Sequence, residues 1–152
     1  MAETDGHGHG RVARSFAALL PPDVTHNDLV AYVKKTKGGK MMPGIRKSDR
    51  LKEYESALTA HLSNMALTTE TLDGPLRETV KLCYPPTDNH RAGEPKITKP
   101  DMDNVVKTIN DVLENVGVIA NDSRICDLRV IKAYSEPAGI FIRIEELEDM
   151  DG

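Results

Sequence analysis

The sequence predicts an α/β fold: a single compact domain built on a mixed sheet of about four strands with two main helices. Three patterns carry that expectation. Residues 75–85, PLRETVKLCYP, alternate with period two. Leu76, Val80, Leu82 and Tyr84 fall on one side and Arg77, Thr79, Lys81 and Cys83 on the other, the mark of a half-buried strand, which Pro85 and Pro86 close. Residues 103–117, DNVVKTINDVLENVG, repeat apolar side chains at spacings of three and four: Val105, Val106, Ile109, Val112, Leu113 and Val116 make one stripe of a helix that Gly117 is placed to end. Residues 125–134 and 138–147 read as two strands joined through a Pro-Ala-Gly turn as a hairpin, with Ile140, Ile142 and Ile144 sharing a face.

The other elements follow in order. Residues 1–12 open with MAETDGHGHG, small and polar, and read as a disordered start in which His7 and His9 offer at most weak metal binding. The folded domain is expected over 13–147, with an acidic tail over 148–152. SFAALL, residues 15–20, is a short strand stopped by Pro21 and Pro22. Residues 26–43 fit neither helical nor strand periodicity cleanly, and Gly38 and Gly39 read as a turn in a basic loop. Residues 47–67 read as a helix on the spacing of Leu51, Tyr54, Leu58, Leu62 and Met65, with Ser48 or Asp49 able to cap its start. Residues 87–98 are a polar loop.

Composition narrows the function classes. A chain of 152 residues suits one domain with its own core. Two Phe, four Tyr and no Trp leave little for the aromatic platforms of single-strand binders. Cys83 and Cys126 form no C-x-x-C pair and read as reduced core residues of a cytoplasmic protein. No stretch has the apolar length of a membrane span and no signal peptide is recognisable. The net charge of −4 hides a segregation. The end, EELEDMDG, is acidic throughout, whereas Lys34, Lys35, Lys37, Lys40, Arg46, Lys47, Arg50 and Lys52 stand against Asp49 alone. Such a basic stretch is either a solvated surface or a phosphate-backbone contact.

The chemistry concentrates at KPDMDN, residues 99–104. Pro100 keeps Lys99 out of helical geometry, so the segment enters the helix extended or turned. Asp103 is placed to cap the helix. Asp101, two residues earlier, would diverge from it inside a helix and can converge with it just before one. Lys107 and Asp111 follow at four-residue steps on the polar face. Asp122 lies just before the expected hairpin and can return to the helix start if that hairpin packs beside it. Three carboxylates and a lysine suit Mg²⁺ and phosphodiester hydrolysis: hard oxygens hold the ion, and an ammonium covers charge on the phosphate or protonates the leaving oxygen. The same residues also read as a cap, an exposed i,i+4 pair and a turn aspartate. A calcium-binding EF-hand is excluded, because Val105, Val106 and Val112 stand where an oxygen ligand, Gly and Glu are needed.

KPDMDNVVKTINDVLENVGVIANDSRICDLRVIKAY, followed by PAGIFIRIEE, resembles the RusA family of Holliday junction resolvases. The match is strongest over residues 75–147 and weak over 15–65. The resemblance implies a homodimeric α/β endonuclease that binds four-way DNA junctions and cuts opposed strands with Mg²⁺, Mn²⁺ substituting. Such activity serves recombination and repair, and the family is common in prophages and bacteria. Carried over by position, the catalytic and metal-holding acids are Asp101, Asp103 and Asp122, the essential lysine is Lys107, and Asp111 is a supporting acid. Asn121 stands where the family usually has the first acid of a pair, which leaves the metal count open. The bases expected to bring in DNA are Lys34, Lys35, Lys37, Lys40, Arg46, Lys47 and Arg50, with Lys132 outlying. A related nuclease for flap or branched DNA, and a catalytically silent DNA-binding or packaging accessory protein, are the alternatives.

Overall fold

In a computed structural model of the chain, residues 3–4, 12–20, 22, 29–66 and 70–148 are described. The alternating segment becomes the central strand β5 (Leu76–Tyr84), flanked by β7 (Gly139–Glu146) antiparallel and β6 (Ile125–Tyr134) parallel. Strand β2 (Val12–Ala18) pairs antiparallel with β7, and Glu3–Thr4, a two-residue β1, pairs with β2. The order β1-β2-β7-β5-β6 gives the expected mixed sheet. His7, His9, Pro21, residues 26–28, Leu67, residues 149–152 and the side chain of Met65 lie outside the described residues.

The expected β6–β7 hairpin is corrected. The two strands are consecutive in sequence but lie on opposite sides of β5. The link between them crosses the end of β5, where the Ser135 amide donates to the Tyr84 carbonyl at 2.9 Å. The most deeply buried strand takes the middle: Leu76, Val80 and Leu82 are fully buried, and a central strand is covered on both edges.

One core joins this sheet to two helices. Phe16, Leu76, Val80, Leu82, Ile140 and Ile144 pack with Leu51, Leu58 and Leu62 of α1 (Asp49–Ala66) and Val105, Ile109 and Leu113 of α2 (Met102–Asn115). Helix α1 starts as its sequence suggests: the Ser48 hydroxyl accepts from the Leu51 amide at 3.0 Å, satisfying one orphan donor of the first turn. Helix α2 ends at Gly117 (φ +84°), whose amide donates to Glu114, while the Val118 amide donates to Leu113. That pair of bonds is a Schellman ending, and it needs the left-handed geometry glycine accepts.

Two local expectations change. Asp101, not Asp103, holds the N-cap position of α2, because its carbonyl already accepts from the Val105 amide at 3.3 Å; its side chain makes no capping bond. Asp103 lies inside the first turn. Cys83 is buried as expected, but Cys126 is exposed. The register between β5 and β6 slips at Leu76/Arg77, so Cys126 is the extra residue of a bulge, displaced from the alternation that would have buried it.

The basic stretch is also more ordered than a loop. Residues 29–47 form an antiparallel ribbon of β3 (Leu29–Lys35) and β4 (Met41–Lys47), separate from the main sheet. Gly39 (φ +80°) closes its turn, with the Gly39 amide on the Thr36 carbonyl at 2.9 Å. Tyr32 lies across Gly44, where a Cβ would sit 2.7 Å from the ring. The pattern was illegible because apolar residues occupy both faces: Leu29, Val33 and Ile45 on one, Val30 and Tyr32 on the other, all exposed. Among the described residues no helix is long and apolar enough to cross a membrane.

Glu78 breaks the alternation of β5 and points into the core with no exposed surface. Neither of its oxygens is in hydrogen-bond geometry with a partner among the described residues, nor is Oδ1 of Asn110, its polar neighbour on α2. Burial pushes the Glu78 carboxyl up to about 7, against a weaker downward pull from Asn110. The folded protein therefore holds a proton that the unfolded chain releases above the ordinary glutamate range. Stability from this group is full at low pH and declines as pH rises from about 4.5 towards 7, by about 3 kcal/mol in all. Urea unfolding of Glu78→Gln across pH 4–8 should show that decline removed relative to wild type. Parallel pH profiles for the two proteins would contradict the assignment.

Candidate active site

Because β6 runs parallel to β5, the chain must travel back along the sheet between them, and α2 makes that return. The second half of α2 therefore lies near the start of β6. A short bridge secures the junction: the Leu72 amide donates to Val118 at 3.0 Å and the Ala120 amide to Leu72 at 2.9 Å. Next comes a 3₁₀ turn, Asp122–Arg124, which packs on α2. Asn121 caps this turn, its Oδ1 accepting from the Ser123 amide at 2.8 Å. An asparagine oxygen does this as an aspartate would, so the turn that presents Asp122 survives the departure at Asn121.

The result is a polar ridge along α2 facing the turn. Lys107 Nζ lies 3.0 Å from Asp111 Oδ1 and 3.5 Å from Asp122 Oδ2, spanning helix and turn. The hydrogen bond to Asp111 is the largest cause of a raised Lys107 pKa, and Asp122 adds to it. The group is thus a standing positive charge. A pocket of about 340 Å³ is lined by Asp103, Lys107 and Asp122, with Asn110 and the apolar Val106 and Val130.

The structure brings together Asp103, Lys107 and Asp122 of the sequence-predicted set, and places Asp111 beside them. Asp101 is exposed at the helix mouth and is not part of the pocket wall. Asp122 shares that pocket with Met102 and Asp103 of the first turn of α2, and its nearest carboxylate neighbours lie further along the helix. Among the described residues, three carboxylates whose oxygens lie within 4.8 Å of one another are Asp111, Glu114 and Asp122. Asp101 and Asp103 stand outside that group. Glu114 went unnoticed in the sequence, although it follows Asp111 by three residues on the same helical face. Hard carboxylate oxygens converging beside one ammonium fit a divalent cation such as Mg²⁺ by donor chemistry.

The expected DNA-facing bases separate into three situations. Lys34, Lys35, Lys37 and Lys40 are exposed on the ribbon. Arg46 and Lys47, at its base, pair with Asp49 at 3.3 Å and Glu55 at 2.9 Å, and Arg50 lies exposed in the first turn of α1. Lys132 turns inward: its Nζ donates to the Thr98 carbonyl at 2.7 Å and the Pro100 carbonyl at 2.9 Å. It thereby ties β6 to the segment that delivers Asp101 and Asp103. Lys96 supports the same loop, with Nζ 4.9 Å from the Tyr84 ring centre and 2.7 Å from Thr98 Oγ1.

Residues 22–145 match the family model described as Endodeoxyribonuclease RusA. A Bacillus subtilis (strain 168) protein described as uncharacterized protein YqaN is 42% identical over 50 residues, 33% of this chain. The match spans 34% of that relative's length.

Lys132→Met should free the 98–101 segment. Amide exchange of residues 98–104 is expected to accelerate, with a stability loss of about 1–2 kcal/mol for the lost charge-assisted bonds at this half-buried position. The salt dependence of DNA binding should be unchanged, as for a lysine that meets carbonyls rather than phosphates. A shallower salt slope with unaltered exchange would assign Lys132 to DNA instead.

Proposed function

This chain belongs to the RusA endodeoxyribonuclease family, and on that premise we propose that it resolves four-way DNA junctions by metal-dependent hydrolysis of paired strands in the cytoplasm, serving recombination and repair. The observation that carries the reading is the convergence of Asp103, Lys107 and Asp122 on one pocket, backed by Asp111 and Glu114. Asp103 and Asp122 are the proposed metal-holding acids, with Asp101 joining from the helix mouth and Asp111 and Glu114 closing the far side. A bound Mg²⁺ or Mn²⁺ supplies there an activated water and a Lewis acid for the phosphate.

The chain's own groups divide the remaining work. Lys107 keeps its proton, because Asp111 and Asp122 hold it charged. It offers positive charge to a phosphate oxygen and a proton to the departing one. Asp111 fixes the direction of that ammonium. The acids repel a polyanion, so the ribbon lysines must draw the DNA in. A two-fold homodimer would set one such site near each of the two strands to be cut.

Asp122→Asn and Asp103→Asn should each bind a synthetic four-way junction normally while cutting in Mg²⁺ falls by at least ~100-fold. Chelation of divalent metal should abolish wild-type nicking. Lys107→Met should lower the single-turnover rate more than Lys107→Arg, with junction affinity little changed. Cutting by Asp122→Asn at the wild-type rate would remove this pocket from consideration. Better cutting of flaps than of junctions would replace the substrate.

A further inference from the structure

The ribbon's outer end has an arrangement that electrostatic attraction alone does not require. In the register of β3 and β4, Met42 lies opposite Lys34 and Met41 opposite Lys35. Directly opposed residues of an antiparallel pair share a face. Each face of the ribbon tip therefore carries one methionine beside one lysine, and Lys37 and Lys40 crown the turn beyond. The methionines are open to solvent, Met41 at 61% and Met42 at 44%. Residues 29–47 contain no acid, so two ribbons laid together would set bases against bases. Charge complementarity points instead to a polyanion.

On the reading of the chain as a junction nuclease, we propose that Met41 and Met42 form an apolar wedge that enters the branch point of the DNA, while Lys34, Lys35, Lys37 and Lys40 hold the phosphates around it. A two-stranded ribbon fits the major groove, roughly 12 Å wide. Methionine is flexible and polarizable and adapts to base faces. Apolar side chains inserted at a base step unstack it, which costs little where a branch already interrupts stacking. A continuous duplex gives the wedge no such opening. The ribbon lysines then supply affinity for any DNA, and the two methionines supply preference for branched DNA.

The experiment compares the full-length wild type with Met41→Ser/Met42→Ser and Met41→Leu/Met42→Leu. Binding is measured without divalent metal to a four-way junction and to a linear duplex, each carrying 2-aminopurine at the central step. The serine variant should lose roughly tenfold of its junction-over-duplex preference, the scale of one lost base contact. Its duplex affinity should stay within about twofold, since the phosphate contacts remain. It should also lose the fluorescence rise that the wild type gives on the junction alone, and the leucine variant should retain both. An unchanged preference, or an equal loss on junction and duplex, overturns the wedge. A fall in oligomeric state in sedimentation with DNA preference unaltered also overturns it and gives the surface to a second copy of the chain. A wild type that itself binds both DNAs equally refutes the junction reading instead.

Discussion

The parallel pairing of β5 with β6 governs where the acids meet. A parallel neighbour can be reached only by a return along the sheet, and α2 is that return. The turn that starts β6 consequently lands beside the middle and second half of α2. Asp122 meets Lys107, Asp111 and Glu114 there and shares a pocket wall with Asp103, one helical turn before Lys107. Lys107 lies between these positions along the helix. It gathers acids from helix and turn into one pocket and offsets part of their mutual repulsion.

Two charged or polar side chains are turned from solvent into the body of the protein. Glu78 is fully buried with only Asn110 as a polar neighbour pulling on its carboxyl, among the described residues, although an apolar residue would suit its place in β5. It sits against Asn110, itself a wall of the acidic pocket. Lys132, on the far side of the site, spends its charge on two backbone carbonyls rather than on solvent. These contacts brace the faces of α2 and the loop that enters it. The helix bearing most of the site is thus held from its start, its buried side and its Schellman end.

Charge is divided between two parts of the molecule. The body concentrates carboxylates at the pocket, while the ribbon carries bases and exposed apolar residues with no acid among them. Substrate attraction and acidic chemistry need opposite potentials, and separating them in space lets both exist in one small chain. The main sheet and helices bury the core by themselves, which leaves the ribbon's surface open for contact with something else.

How much could be read beforehand depended on whether a pattern was local. The β5 alternation, the α2 stripe, the Ser48 cap and the Gly117 ending are set within a few residues by side-chain period and backbone freedom, so each was legible. Family resemblance marks Asp101, Asp103, Lys107 and Asp122, and the pocket wall includes all of these but Asp101. The ribbon escaped because no core gives its residues an inside and an outside. Glu78 escaped because a lone acid in an alternating strand yields to its apolar neighbours. The sequence by itself determined the α/β class, the elements of the core and the chemical types at the site. Only the tertiary structure decided that β5 separates β6 from β7, that Asp111 and Glu114 join Asp122 at one point of the pocket, and that Lys132 points inward. Strand order and the direction of return are settled by long-range pairing and burial, and no short-range spacing encodes them.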